Sequence, residues 1–227
     1  MSIATLPRVM IATEDAFELT TVSASLRLHG VNIVAEVQSQ IVAENTFRSL
    51  QPEVVLFDLL FADSHVIEMI VGFRKTNPEL GVVIMTACVD LRLLGIPAAS
   101  IPRGVQIVLK RSMADLAILN SAITQSLESS SIMATAQWVN SAGSSYENAF
   151  GSVIHNFTDI QVATLRLLAQ GLSNSEIAKV RFVSEKSVEQ IVARIAQHLD
   201  VLPDRAKNLR VVITGEYFKC IGAPRHL

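Results

Sequence analysis

The sequence is poor in the features that would fix its class at once. Its 227 residues include only two cysteines, Cys88 and Cys220, which offer no disulfide framework and fit a reducing cytosol. Half of the residues are apolar, yet no uninterrupted apolar run reaches the ~18 residues of a transmembrane span. The opening stretch MSIATLPRVMIATED lacks the basic start, long apolar segment and small-residue cleavage site of a signal peptide. A soluble, cytoplasmic protein with no membrane attachment is the expectation. The five histidines, His29, His65, His155, His198 and His226, are scattered without ligand spacing, which speaks against structural zinc. Neither G-x-G-x-x-G nor G-x-x-x-x-G-K-[ST] occurs, so a nucleotide-binding enzyme has no motif to rest on.

What is present is unevenly distributed. Residues 1–151 carry 9 Lys and Arg against 14 Asp and Glu, a balance of −5, while residues 152–227 carry 10 against 7, a balance of +3. A basic carboxy-terminal portion on an acidic amino-terminal one suits a small nucleic-acid-binding module attached to a regulatory domain. The length allows two domains, and the pattern predicts bounds of 1–128 and 157–227 with a linker at 129–156. That linker is rich in Ser, Asn and Gly, and within it IMATAQWV reads as a short helix, with Trp138 as a packing residue.

The first portion alternates strand and helix. β-rich runs occur at 8–13, 31–37, 53–58, 81–86 and 105–110. Between the first two, Leu19, Val22 and Leu26 recur at helical spacing before His29 and Gly30 stop the helix. Segments 39–50, 64–76 and 112–128 also read as helices, whereas Gly95, Pro97, Pro102 and Gly104 disfavour a regular helix over 88–104. Near-continuous apolar strands joined by right-handed crossovers predict a doubly wound, five-stranded parallel α/β sheet with its ligands beyond the carboxyl ends of the strands. Those ends carry Thr13 and Glu14, Asp58, Thr86 and Lys110.

This set resembles the receiver domain of bacterial response regulators over residues 7–128. The resemblance implies that Asp58 accepts a phosphoryl group, that Glu14, Asp58 and the Leu60 carbonyl hold magnesium, and that Thr86 and Lys110 contact the phosphate. A hard cation, a hydroxyl and an ammonium together neutralise a phosphoryl group on a carboxylate. Three departures stand beside the matches: Thr13 replaces the first of two adjacent acids, no proline follows Asp58 closely, and Ile107 stands where an aromatic switch residue is common. Weak magnesium binding is expected, and the departures resemble those of atypical receivers that have lost, or do not depend on, phosphorylation; the alternative reading of Asp58 is a strand-end carboxylate that caps a turn or serves ligand sensing.

The second portion, from Phe157, reads FTDIQVATLRLLAQGLSNSEIAKVRFVSEKSVEQIVARIAQHLDV. Thr158 with Gln161, and Ser173 with Glu176, form capping boxes, and Ser184 caps a third segment. Ile160, Thr164, Leu167 and Leu168 line the first helix, Ile177 and Val180 the second, and Val188, Ile191, Val192, Ile195 and Leu199 the third. Two helices joined by a tight turn form a helix-turn-helix. The segment closely resembles the LuxR-type helix-turn-helix domain of response regulators, an all-α four-helix unit, in Leu165, Leu168, Gly171, Leu172, Ser173, Asn174, Glu176, Ile177, Ala178, Val183, Ser184, Val188, Ile195 and Leu199.

That resemblance implies a transcriptional regulator that binds double-stranded DNA as a homodimer, not an enzyme with turnover. A histidine kinase or another regulatory protein is its expected partner. The recognition helix would present Lys186, Ser187, Glu189, Gln190, Ala193 and Arg194 to the major groove, with Lys179 and Arg181 on phosphates. A helix from 206 to 220 would supply Leu209, Val212, Ile213 and Tyr217 to a dimer interface. The rival reading keeps both folds and makes the chain a protein-interaction regulator with little sequence-specific DNA binding.

Overall fold

The computed structural model describes residues 6–132, 135–139, 153–201 and 206–222. The chain divides into two compact units, one of residues 1–86 with 99–142, the other of residues 87–98 with 143–227. The second unit therefore takes in a segment from the first half of the chain.

The first unit is a parallel sheet in the order β2-β1-β3-β4-β5-β6. Its strands are β1 (Arg8–Ala12), β2 (Asn32–Val37), β3 (Val54–Asp58), β4 (Gly81–Thr86), β5 (Gln106–Leu109) and β6 (Gln137–Val139). Its helices are α1 (Ala16–Leu28), α2 (Gln40–Leu50), α3 (Val66–Thr76) and α4 (Leu116–Ile132). Every residue of β3 and β4 is buried, because helices cover both faces of a parallel sheet. Side chains alternate between those faces. Val9, Ile11, Val54, Leu56, Val83, Met85 and Val108 pack with Leu19 and Leu26 of α1 and Leu119 and Ile123 of α4. On the other face Phe57 lies against Phe73, which stacks on Phe47 of α2 at 3.9 Å between ring centroids.

Two expectations are corrected here. The sheet has six strands, not five, because Gln137–Val139 pairs in parallel with β5, Trp138 lying opposite Ile107. The same strand replaces the short helix expected over IMATAQWV, of which Ile132 ends α4. Of the expected linker, residues 129–132 belong to α4 and residues 133–134 and 140–152 lie outside the described residues.

The helices of the second unit include α5 (Asp159–Ala169), α6 (Asn174–Arg181), α7 (Glu185–His198) and α8 (Leu209–Ile221). Each begins where a side-chain oxygen takes a backbone N–H: Thr158 caps α5 within a complete capping box, Ser173 caps α6, Ser184 caps α7 and Asn208 caps α8. Such a cap is worth ~1 kcal/mol. Phe182 between α6 and α7 has φ 53°, the left-handed turn that separates the two helices. Val162, Leu165, Leu168, Ile177, Val188, Val192 and Ile195 form the core. Ile160 and Val180, expected to face inward, are 52 % and 53 % exposed; Val162 and Leu165 take the inward positions on α5, and Ile177 with Ala178 on α6.

The segment 87–98 forms a 3-10 turn, Leu91–Leu94, in place of a regular helix, as its Gly and Pro content suggested. Gly95 closes that turn at φ +83°, a conformation that only glycine adopts freely. Val89 N–H donates to the Cys220 carbonyl (3.0 Å) and the Tyr217 hydroxyl donates to the Leu93 carbonyl (3.0 Å). Arg92 binds the Asp90 and Asp159 carboxylates and the Phe157 and Ile154 carbonyls, at 2.7 to 3.2 Å. Hydrogen bonding to Asp90 raises the Arg92 pKa.

Candidate functional site

Two clusters carry the chemistry expected of the chain, one in each unit. In the first unit, β1 and β3 end side by side, since Ala12 pairs with Phe57. Thr13 and Asp58 follow directly, and Lys110 follows β5. Asp58 is 8 % exposed and Thr86, at the end of β4, is 3 % exposed. The Lys110 ammonium lies 3.0 Å from Asp58 Oδ2, and the Leu60 N–H donates to Asp58 Oδ1 at 3.3 Å. The structure thus brings together Asp58 and Lys110 as the strand ends require.

Glu18 is the residue that sequence reasoning missed. Asp15 caps α1 by accepting the Glu18 N–H at 2.8 Å, which fixes Glu18 in the first helical turn. Its Oε2 lies 2.8 Å from Lys110 Nζ and accepts from the Thr13 hydroxyl at 3.2 Å. Thr13 Oγ1 in turn takes the Asp15 N–H at 3.3 Å and lies 3.5 Å from Asp58 Oδ2. One ammonium therefore bridges two carboxylates, each side chain only 11 % exposed. An acid in a first turn ordinarily reads as a partner of the helix dipole, so only the fold reveals its second role.

The expected magnesium ligands already have partners within the chain. Glu14 is exposed and its Oε1 accepts the Ala62 N–H at 3.0 Å, while Leu60 is 49 % exposed. Among the described residues no three His, Cys, Asp or Glu side chains converge as a cation site. A hard cation needs several oxygen ligands without a competing positive charge. Here the Lys110 ammonium contacts Asp58 Oδ2 while Oδ1 accepts the Leu60 N–H, so the expected set offers a cation the carboxylates of Glu14 and Asp58 beside a competing ammonium.

In the second unit α7 turns Val188, Val192 and Ile195 inward and leaves Lys186, Glu189, Gln190, Ala193 and Arg194 exposed. Ser187 is half-buried, its N–H donating to Ser184 Oγ at 3.1 Å. Lys179 is exposed and pairs with Glu176 at 2.6 Å, which raises its pKa. Arg181, expected to hold a phosphate, instead binds the Ile160 carbonyl and the Thr164 hydroxyl. That contact ties α6 to α5.

The dimerisation residues expected on α8 fare differently from one another. Leu209 and Val212 are half-buried, but Ile213 is fully buried and Tyr217 is bound to Leu93. The last two are spent on packing within their own unit, and Val211, 68 % exposed, is the apolar residue that α8 turns outward. Both cysteines are buried and reduced; burial pushes the Cys88 thiol up to about 12, which suppresses the reactive thiolate.

The sheet order and the helical unit define the class first: a receiver-like α/β unit joined to a helix-turn-helix unit. Residues 155–207 match the family model described as bacterial regulatory proteins, luxR family. The chain is 25% identical over 173 residues to the response regulator protein VraR of Staphylococcus epidermidis, covering 75% of this chain and 79% of that protein. It is equally similar, over the same length, to VraR of Staphylococcus saprophyticus. Among solved structures, one of two RcsB dimers bound to two parallel DNAs matches with a TM-score of 0.57 at 20% identity, over 96% of this chain and all of that one. A second, of the response regulator RcsB in a DNA complex, gives 0.53 at 20% identity over the same shares. Residues 155–207 thus form a luxR-type domain, and over most of its length the chain is similar to response regulators.

No helix among the described residues is long and apolar enough to cross a membrane.

Proposed function

We propose that the chain is a DNA-binding transcriptional regulator in which α7 reads the major groove. The observation that carries this reading is the single polar, solvent-facing side of a capped helix whose other side is locked in the core. Gln190 suits an adenine edge, and Arg194 a guanine edge or a phosphate. Glu189 suits a cytosine amino group, because a carboxylate without such a donor would be repelled by the duplex. Lys179 and Lys186 supply phosphate contacts; Arg181 contributes by holding α6 in place. VraR and RcsB are response regulators, and RcsB is solved as dimers on DNA; a homodimer on duplex DNA and a histidine kinase or other regulatory protein as input suit this chain also.

The receiver-like unit supplies regulation without a need for phosphorylation. Asp58 remains its phosphoacceptor position, with Thr86 and Lys110 beside the strand ends, but Lys110 is shared with Glu18, and Thr13 in place of an acid leaves Glu14 and Asp58 as the carboxylates for a weakly held magnesium. Regulation then comes through a bound protein or a change of assembly.

The test is binding-site selection at fixed salt with wild type, Glu189→Ala and Glu189→Lys. A defined motif is expected for wild type. Glu189→Ala should relax one base pair by about 1–3 kcal/mol, and Glu189→Lys should raise non-specific affinity with a steeper salt slope. No enriched motif for wild type would overturn the reading.

A further inference from the structure

We infer that Glu18 is a built-in anion of the Asp58 pocket: its carboxylate occupies the ammonium and hydroxyl beside Asp58 and so opposes phosphoryl transfer to that residue. The inference rests on the receiver reading above and goes beyond it by naming the group responsible. Three observations carry it. Glu18 Oε2 lies 2.8 Å from Lys110 Nζ, closer than the 3.0 Å of Asp58 Oδ2. The same oxygen accepts the Thr13 proton, whose alternative acceptor, Asp58, is farther at 3.5 Å. Asp15 fixes the backbone of Glu18, so the side chain is aimed by the helix start.

The charge balance gives the consequence. Two carboxylates already share one cation, with their nearest oxygens no more than about 6 Å apart, a separation at which like charges in a poorly solvated pocket repel appreciably. Transfer from an acyl phosphate would form an Asp58 oxygen–phosphorus bond, break the phosphorus–oxygen bond to the acyl group and release a carboxylate. No proton or electron is exchanged. The incoming phosphoryl group brings further negative charge to a site whose ammonium and hydroxyl are taken. Thr13 and Glu18 act together: the hydroxyl that stands where the family carries an acid is the one that steadies Glu18.

The experiment treats the full-length protein with acetyl phosphate in magnesium buffer and follows intact mass with time. Wild type, Glu18→Gln, Glu18→Ala and Glu18→Gln/Asp58→Asn are compared, each shown to be folded by its thermal melt. Gln keeps the length and hydrogen bonding of Glu18, and Ala is the independent control should Gln retain the Lys110 contact. Addition of a single phosphoryl group at least about tenfold faster in either single variant than in wild type, abolished by Asp58→Asn, is the expected result. Equal, slow rates in wild type and both variants would overturn the role of Glu18 while leaving an unphosphorylated receiver standing. Rapid labelling of Asp58 in wild type would overturn both.

Discussion

The two clusters use the same kinds of side chain in opposite ways. Beside Asp58 the charged groups face one another: Lys110, Glu18 and Asp58 are each less than a quarter exposed and pair among themselves. Along α7 the charged and amide groups face water, with Lys186, Glu189, Gln190 and Arg194 all exposed. The ammonium and both carboxylates of the pocket already have partners within the chain, whereas an exposed polar face backed by Val188 and Ile195 gains partners only from another molecule. The charged groups of the first cluster are thus engaged with one another and those of the second are open to solvent.

The largest effect expected from breaking that contrast is on stability at the pocket. Lys110→Met leaves two nearly buried carboxylates without their cation, and stripping one partner from such a cluster costs about 3 kcal/mol. Urea denaturation monitored on the first unit would register it. The exposed Lys179–Glu176 pair is the counterpart: Lys179→Ala should leave the denaturation midpoint unchanged, because exposed pairs contribute little, while DNA affinity falls modestly.

An intermediate effect is expected at Arg92. Arg92→Ala removes the hydrogen bonds to Asp90, Asp159, Phe157 and Ile154 and leaves the 7 %-exposed Asp90 side chain without its cation. A loss of about 2 kcal/mol follows from charge-assisted bonds of this kind. A carboxy-terminal fragment that lacks residues 87–98 should likewise unfold at lower denaturant than the second unit of the full chain. A smaller loss belongs to Thr158→Ala, which deletes the α5 cap at a cost of about 1 kcal/mol and should lower the melting temperature with no change in the selected DNA motif.

Much of this was legible in the sequence for identifiable reasons. β3 and β4 are short apolar runs between polar breaks, and α5, α6 and α7 announce themselves with a capping Ser or Thr. Asp58 and Lys110 could be placed together because parallel strands deliver their carboxyl ends to one edge. What escaped was non-local. β6 is three residues long at the sheet edge, too brief for a periodic signal. The docking of 87–98 with α5 and α8 depends on Arg92 and Tyr217 meeting partners more than 60 residues away. Glu18 and Arg181 carry charges that sequence spacing assigns to solvent or phosphate, and only the fold shows the partners they also find within the chain.

The most direct test of the contrast is a set of equilibrium affinities for one selected duplex, measured at fixed salt with full-length wild type, Asp58→Asn and Arg194→Ala. Affinity within about twofold of wild type for Asp58→Asn, and about tenfold weaker for Arg194→Ala as one charge-assisted DNA contact is lost, is the result expected. A strong loss or gain with Asp58→Asn and none with Arg194→Ala would contradict it, because the pocket would then control binding and the exposed face of α7 would not touch the DNA.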